Sequence, residues 1–258
     1  TGDVVVFTDS DCTPGPTWLA ALVAALADPG VSAAVGPVVN TPVRTLAERA
    51  FASLFAVPRD RGRATPLIGC NMAFRAAVLR RYQFDPVFDL YCDESDLDHR
   101  LKADGHGVGF APEGGMAHRH TVTTRQYLRL GYRQGRGSGR FWYKWGQYYG
   151  KELWPTLLLT ASAACVPLGT VGVLTFAVMA TVHSLFLLYI ARALRSQSWA
   201  TSLAILPHMT VFAVCKMFGN MATLIRVALG RESELVQSKR ASRGGGALAP
   251  SPAPVTFR

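Results

Sequence analysis

The N-terminal half of the chain alternates short β-branched runs with helix-length amphipathic stretches. Val4-Val5-Val6-Phe7 reads as a buried strand ending at Asp9, and a run this apolar fits a parallel strand with neighbours on both sides. Pro14 and Pro16 then break the chain. Residues 18–27 carry a helical pattern stopped by Pro29-Gly30. Residues 31–38 predict a second strand ending around Gly36-Pro37, and residues 45–57 a helix with Leu46, Phe51, Leu54 and Phe55 on its apolar side. A polar loop over 58–63 follows. Residues 67–74 form a short apolar stretch through Gly69-Cys70-Asn71, and residues 75–81 a short helix. Residues 95–103 predict another helix, with acids at its start where the helix dipole favours them. Residues 108–111 predict a last strand. No internal repeat is visible, and the alternation argues for an α/β layered domain.

The pattern changes in the second half. Phe141-Trp142-Tyr143-Lys144-Trp145 and Tyr148-Tyr149 form an aromatic and basic belt suited to a bilayer interface. Residues 155–191 contain no Asp, Glu, Lys or Arg over 37 positions, nearly two spans at about 20 residues each. Pro167 and residues 169–172 offer the turn. Residues 203–225 are a third apolar stretch interrupted by Lys216, either a span or a helix lying in the interface. Arg192 and Arg195 border the first block, and Arg226, Arg231, Lys239, Arg240 and Arg243 follow the second. The positive-inside rule places all of them on the cytoplasmic side, which favours a two-pass hairpin. The expected layout is therefore a catalytic domain over 1–140, an interfacial segment over 141–153, membrane helices over 154–230 and a disordered basic tail over 231–258.

Charge narrows the partners. The chain of 258 residues carries a formal net charge of +10. From Gly114 to Lys151 there is no acid, while Arg119, Arg125, Arg129, Arg133, Arg136, Arg140, Lys144 and Lys151 all fall there. Such a balance suits nucleic acid, anionic lipid or a phosphorylated substrate. Nucleic acid is disfavoured, because the basic run leads into a hydrophobic segment and no nucleic-acid-binding motif accompanies it. The five cysteines, odd in number and without C-x-x-C spacing, point to a reducing compartment and no disulfide framework. No signal peptide is visible. Thr1 stands directly before a core-like strand, so an upstream part of the domain is expected.

Two acidic clusters carry the candidate chemistry: Asp9-Ser10-Asp11 at a strand end, and Asp93-Glu94-Ser95-Asp96. Carboxylates gathered at such ends can hold Mg²⁺ or Mn²⁺, which take few protein oxygens and leave room for phosphate oxygens. A solvated turn explains Asp9 and Asp11 equally well in isolation. In context, residues 2–14 with Trp18-Leu19 resemble the D-x-D region of family 2 inverting glycosyltransferases of the GT-A fold. Val35-Gly36-Pro37-Val38, residues 69–75 and residues 93–101 follow in that family's order, and the likeness runs to about Gly137. The resemblance implies a partial GT-A (Rossmann-like) domain followed by transmembrane or interfacial helices. It also implies that the strands holding the nucleotide base precede Thr1, so little activity is expected of residues 1–258 alone.

By that resemblance Asp9 contacts the nucleoside and Asp11 ligates the metal on the diphosphate. Glu94 takes the place of the general base, beside Asp93 and Asp96, although the family's usual order is Glu before Asp. Asp96 and Asp98 also read as ordinary helix N-terminal acids. Gly69 and Asn71 match an acceptor-side loop, or else a tight turn. His118 matches a metal-proximal histidine and His120 follows it, though either reads equally as solvated. Gln126, Arg129 and Leu130 resemble the Q-x-x-R-W motif of processive synthases with Leu130 in place of Trp, which argues against processive polymerisation. Arg129, Arg133 and Arg136 recur at helical spacing and could clamp diphosphate or contact lipid headgroups.

Two other classes compete. Asp9-Ser10-Asp11-Cys12-Thr13 also fits the nucleophile motif of haloacid-dehalogenase-type phosphatases, but no lysine precedes Lys102 to serve that chemistry. A non-catalytic membrane anchoring or assembly subunit is the other. The expectation is a metal-dependent transferase at the cytoplasmic membrane face, acting on a nucleotide-diphosphate sugar and a lipid-linked or glycan acceptor.

Overall fold

The computed structural model describes residues 2–40, 43–54, 65–89, 91–119, 121–147, 153–194 and 198–243. Its elements are β1 (Val4–Thr8), β2 (Cys12–Pro14), α1 (Trp18–Ala25), β3 (Val31–Val35), β4 (Val38–Asn40), α2 (Leu46–Leu54), β5 (Asn71–Arg75), α3 (Ala76–Arg81) and α4 (Asp93–Ala103). There follow β6 (Gly107–Phe110), β7 (Met116–His118), α5 (Thr124–Trp145), α6 (Leu153–Ala163), α7 (Thr170–Tyr189), α8 (Trp199–Ala228) and α9 (Ser233–Arg243). The chain divides into two compact units, one of residues 1–42, 57–120 and 234–258, the other of 43–56 and 121–233. The loop expected over 58–63, together with Phe55, His120, Tyr148, Tyr149 and Lys151, lies outside the described residues.

In the first unit a four-stranded mixed sheet runs in the order β1-β5-β3-β6. Side chains alternate across it with the two-residue period of a pleated strand. Ala33, Val35, Met72 and Phe74 face Leu97 and Leu101 of α4, whereas Ala34 and Ala73 face Leu22 of α1 and Leu26 at its C-cap. The sheet is therefore buried between helices, as an α/β layer requires. β1 departs from expectation. It pairs antiparallel with β5 alone among the described residues and is half-buried rather than sandwiched between parallel neighbours. Arg75 explains the end of its motif: its guanidinium donates to the carbonyls of Val31, Leu26 and Asp28, tying β5 to the entry of β3.

A second, three-stranded sheet, β2-β7-β4, was not foreseen. The run over 31–38 splits at Gly36-Pro37, so β3 and β4 belong to different sheets. Gly36 is required there, since a Cβ would lie 1.9 Å from Gly114 O and 2.9 Å from Asn71 Nδ2. The tail assignment also changes. Residues 233–243 form a helix whose buried Ser238 donates to buried Asp85 at 2.5 Å.

The second unit is helical. α5 is one continuous helix through Trp145, so the interfacial segment expected from residue 141 is its last turn, with Phe141 and Lys144 buried. Its start is a capping box, Thr123 accepting from Gln126 N while Gln126 Oε1 accepts from Thr123 N at 2.8 Å. Gly131, Gly135 and Gly139 let α5 approach α8 closely. A Cβ at Gly135 would sit 1.9 Å from Lys216 O, and one at Gly219 would sit 2.1 Å from Tyr132 O. Asn220 and Thr223 line the same contact, Thr223 Oγ1 donating to Arg136 O at 3.2 Å. Elsewhere in the unit Tyr127 donates to His208 O, and Phe51, Tyr127 and Phe212 pack in its core.

Among the described residues α6 has 11, whereas α7 and α8 are each long and apolar enough to cross a membrane. The third apolar stretch, the weakest span by sequence, is the longest helix. On α7, Val171, Val173, Leu174, Val178, Val182 and Leu185 are all exposed. A soluble core helix would bury such a set, so the two helices suggest membrane association.

These close approaches give a stability test. Gly36→Ala and Gly135→Ala each force a methyl into backbone and should cost about 1–3 kcal/mol. Gly69→Ala meets nothing within 4 Å and should be neutral. Thermal midpoints of the detergent-solubilised variants check the contrast.

Candidate active site

The first acidic cluster is shaped by a tight turn between β1 and β2. Cys12 N donates to Asp9 O at 3.1 Å, and Asp11 O accepts from Arg119 N at 2.9 Å. β1 has ended at Thr8, so Asp9 and Asp11 are not held to opposite faces of a strand, and both are exposed. The second cluster opens α4, with Asp93, Glu94 and Asp96 in its first turn. Immediately before it, Cys92 adopts φ 70°, ψ 14°, the one left-handed non-glycine residue among those described. A side chain with a Cβ resists that conformation, so the surrounding fold holds the kink that aims the acids.

Burial, a hydrogen bond with Asp93 and the Asp93 charge push the Glu94 carboxyl up to about 8, and the charge of Asp9 adds to the rise. A carboxylate whose proton affinity is matched to neutral pH is suited to general-base work.

The β2-β7-β4 sheet builds the other side of this turn. In register, Cys12 lies opposite His118 and His118 lies beside Asn40. His118 Nδ1 is 3.0 Å from Asn40 Oδ1, and its Nε2 is 3.3 Å from Asp11 Oδ1. Asn40 Oδ1 accepts from Nδ1, which leaves Nε2 directed at the Asp11 carboxylate. Asp11, Cys12 and His118 each bring one ligand atom within 4.8 Å of the others, a group that could hold a metal ion. The Cys12 thiol is pushed up by burial, with the Asp9 and Asp11 charges adding.

Several expected site residues are structural instead. Asp96 is fully buried and pairs with Arg100 at 2.9 Å, bracing α4. Asn71 is also fully buried. Its Oδ1 accepts from Trp18 Nε1 at 2.8 Å, and its Nδ2 donates to Gly114 O at 2.9 Å and Pro37 O at 3.2 Å. The tight-turn alternative therefore accounts for Asn71, while Gly69 borders open space. Asp98 pairs with Lys102 at 2.7 Å. Gln126 is used by the capping box of α5, and Arg129 and Arg133 are exposed on that helix in the second unit. Arg136 pairs with Glu232 at 2.9 Å and is not part of an open clamp. Sequence reasoning missed Asn40 and Cys12, which only a β2-β7-β4 pairing brings beside His118, and Cys92, which no residue-type signal marks.

No curated protein gives a significant match to the chain. The family model described as glycosyl transferase family group 2 matches residues 4–216, which include both acidic clusters and His118. Its members transfer a glycosyl group from a nucleotide-sugar donor to an acceptor, and the chain belongs to this family of glycosyltransferases.

Proposed function

We propose that the protein moves a sugar, with inversion, from a nucleotide-diphosphate sugar to a lipid-linked or glycan acceptor at the cytoplasmic face of a membrane. The observation that carries this reading is the family match across both acidic clusters, with Glu94 in the first turn of α4 and its carboxyl raised by burial and by its hydrogen bond with Asp93. Asp9 orients the nucleoside and Asp11 with His118 holds Mg²⁺ or Mn²⁺. The ion supplies neutralisation of the leaving diphosphate. Glu94, hydrogen-bonded to Asp93, takes the acceptor hydroxyl proton as that oxygen attacks the anomeric carbon and the bond to the diphosphate oxygen breaks with its electron pair. Gly69 gives the acceptor sugar room to approach the backbone. The exposed apolar surface of α7 supports the membrane location, with Arg129 and Arg133 available to phosphate or headgroups. Leu130, at the position of the family's platform tryptophan, favours one addition per acceptor.

The raised Glu94 carboxyl fixes a pH signature. Transfer by the full-length protein should climb with pH through a midpoint near 8, and Glu94→Gln should lower kcat by roughly 10²-fold or more. The folded carboxyl binds its proton more tightly than the unfolded one, so its contribution to stability falls as pH rises from 4.5 towards about 8. Glu94→Gln removes that loss and should raise the thermal midpoint at pH 8 while kcat falls. A flat pH profile would count against Glu94 as the base.

Metal dependence separates a transferase from a membrane anchor. EDTA should abolish donor turnover, added Mn²⁺ or Mg²⁺ should restore it, and Asp11→Ala should prevent the restoration. Metal-independent turnover with product mass unchanged would sink the assigned mechanism.

A further inference from the structure

Cys12, His118 and Asn40 form one row across the three-stranded sheet, paired in register through β7. Register partners on adjacent strands project to the same side. The row therefore sets a thiol, an imidazole and a carboxamide side by side, with the Asp11 carboxylate at its edge. Asn40 touches His118 on Nδ1, the nitrogen away from Asp11. A ring held by that nitrogen has its tautomer and its angle set for ligation through the other. Cys12 is half-buried beside the same point, its sulfur among the three ligand atoms gathered within 4.8 Å. Oxygen-only sites suit Mg²⁺, whereas sulfur and imidazole ligands select the softer end of the first-row series.

We infer that Cys12 is a third, sulfur ligand to the cation held by Asp11 and His118, that Asn40 positions His118 for it, and that the site therefore retains ions of the Co²⁺ and Zn²⁺ class more tightly than Mg²⁺. This deepens the proposed function and rests on its assignment of a cation to Asp11. Cys70 serves as an internal control. It contacts Cys12 through its thiol but is buried and lies outside the ligand group.

The test uses Co²⁺ alone, titrated into the full-length protein in detergent micelles, with retained metal measured after dialysis and near-ultraviolet absorption read for a sulfur-to-cobalt charge-transfer band. The expected result is one Asp11-dependent Co²⁺ with that band. The band should vanish in both Cys12→Ser and Cys12→Ala and persist in Cys70→Ser. Asn40→Ala should keep the band at saturation but weaken Co²⁺ binding by about 10–100-fold. Mg²⁺ at a hundredfold excess should leave the wild-type band in place and displace Co²⁺ from Cys12→Ser. Asp11-dependent Co²⁺ without the band, or a band that survives both Cys12 variants, would overturn the sulfur ligand while leaving the cation at Asp11 intact. Co²⁺ binding indifferent to Asp11→Ala would overturn the underlying site as well. Circular dichroism of each variant at the titration temperature separates ligand loss from unfolding.

Discussion

Burial of the Glu94 carboxyl beside Asp93 is the constraint on which the candidate site depends. Both acidic clusters sit on braced element ends. β1 is locked in register with β5, Thr8 opposite Asn71, and Asn71 spends its whole side chain on Trp18, Pro37 and Gly114. Gly36 lets that junction close. On the other side, the buried Asp96–Arg100 pair and the left-handed Cys92 hold the first turn of α4. Burial above all, then the hydrogen bond and charge of Asp93, raise the proton affinity of Glu94, and the Asp9 charge adds to it. Stability is given up locally at this carboxyl, a pattern common at functional sites.

The second unit solves a different problem with the same economy of space. α5 carries Arg125, Arg129, Arg133, Arg136, Arg140 and Lys144 without one acid, yet it must pack against the apolar α8. Its glycines do so by removing side chains from the contact, so association comes from close backbone approach and polar contacts at Asn220 and Thr223. Glu232 then gathers Arg136, Arg140 and Arg226 within 3.3 Å or less. Burial disfavours its charge, but the Arg226 hydrogen bond and the Arg140 and Arg136 charges outweigh that and hold its carboxyl below the ordinary range. Arg129 and Arg133 remain on the exposed face.

How much of this was legible in the sequence depended on whether a signal was local. The strands at 4–8 and 107–110 and the helices α1, α3 and α4 follow from apolar periodicity and from Gly, Pro and acidic punctuation, and the structure has them within a few residues. The three-residue strands β2, β4 and β7 have no period to read, because pairing with distant partners defines them. Apolar content alone does not set the spans. Residues 155–191 have enough of it for two, but the turn at residues 164–169 falls early, and α6 has 11 among the described residues. Within the motifs, residue type showed where polar groups gather but not which way they face. Asp96 and Asn71 look like site residues in a string of letters and are fully buried braces in space. Gln126 belongs to a motif-like string, yet a Thr-x-x-Gln capping box accounts for its carbonyl.

The reversed order of Asp93 and Glu94 can be understood through the same pairing. The two carboxyls are hydrogen-bonded, so under the proposed chemistry Asp93 supports the carboxyl of Glu94 as it takes the proton of an acceptor. Placing Glu second gives that receiving oxygen one methylene more reach along α4, while Asp93 stays back as its partner. Under the proposed chemistry, uptake of the proton cancels one of the negative charges that Asp9 opposes. The arrangement therefore relaxes as the acceptor oxygen becomes nucleophilic. A base made reluctant to lose its proton by its neighbours is, by the same interaction, a base that gains by taking one, and the crowding that costs the resting fold favours the step the site would perform.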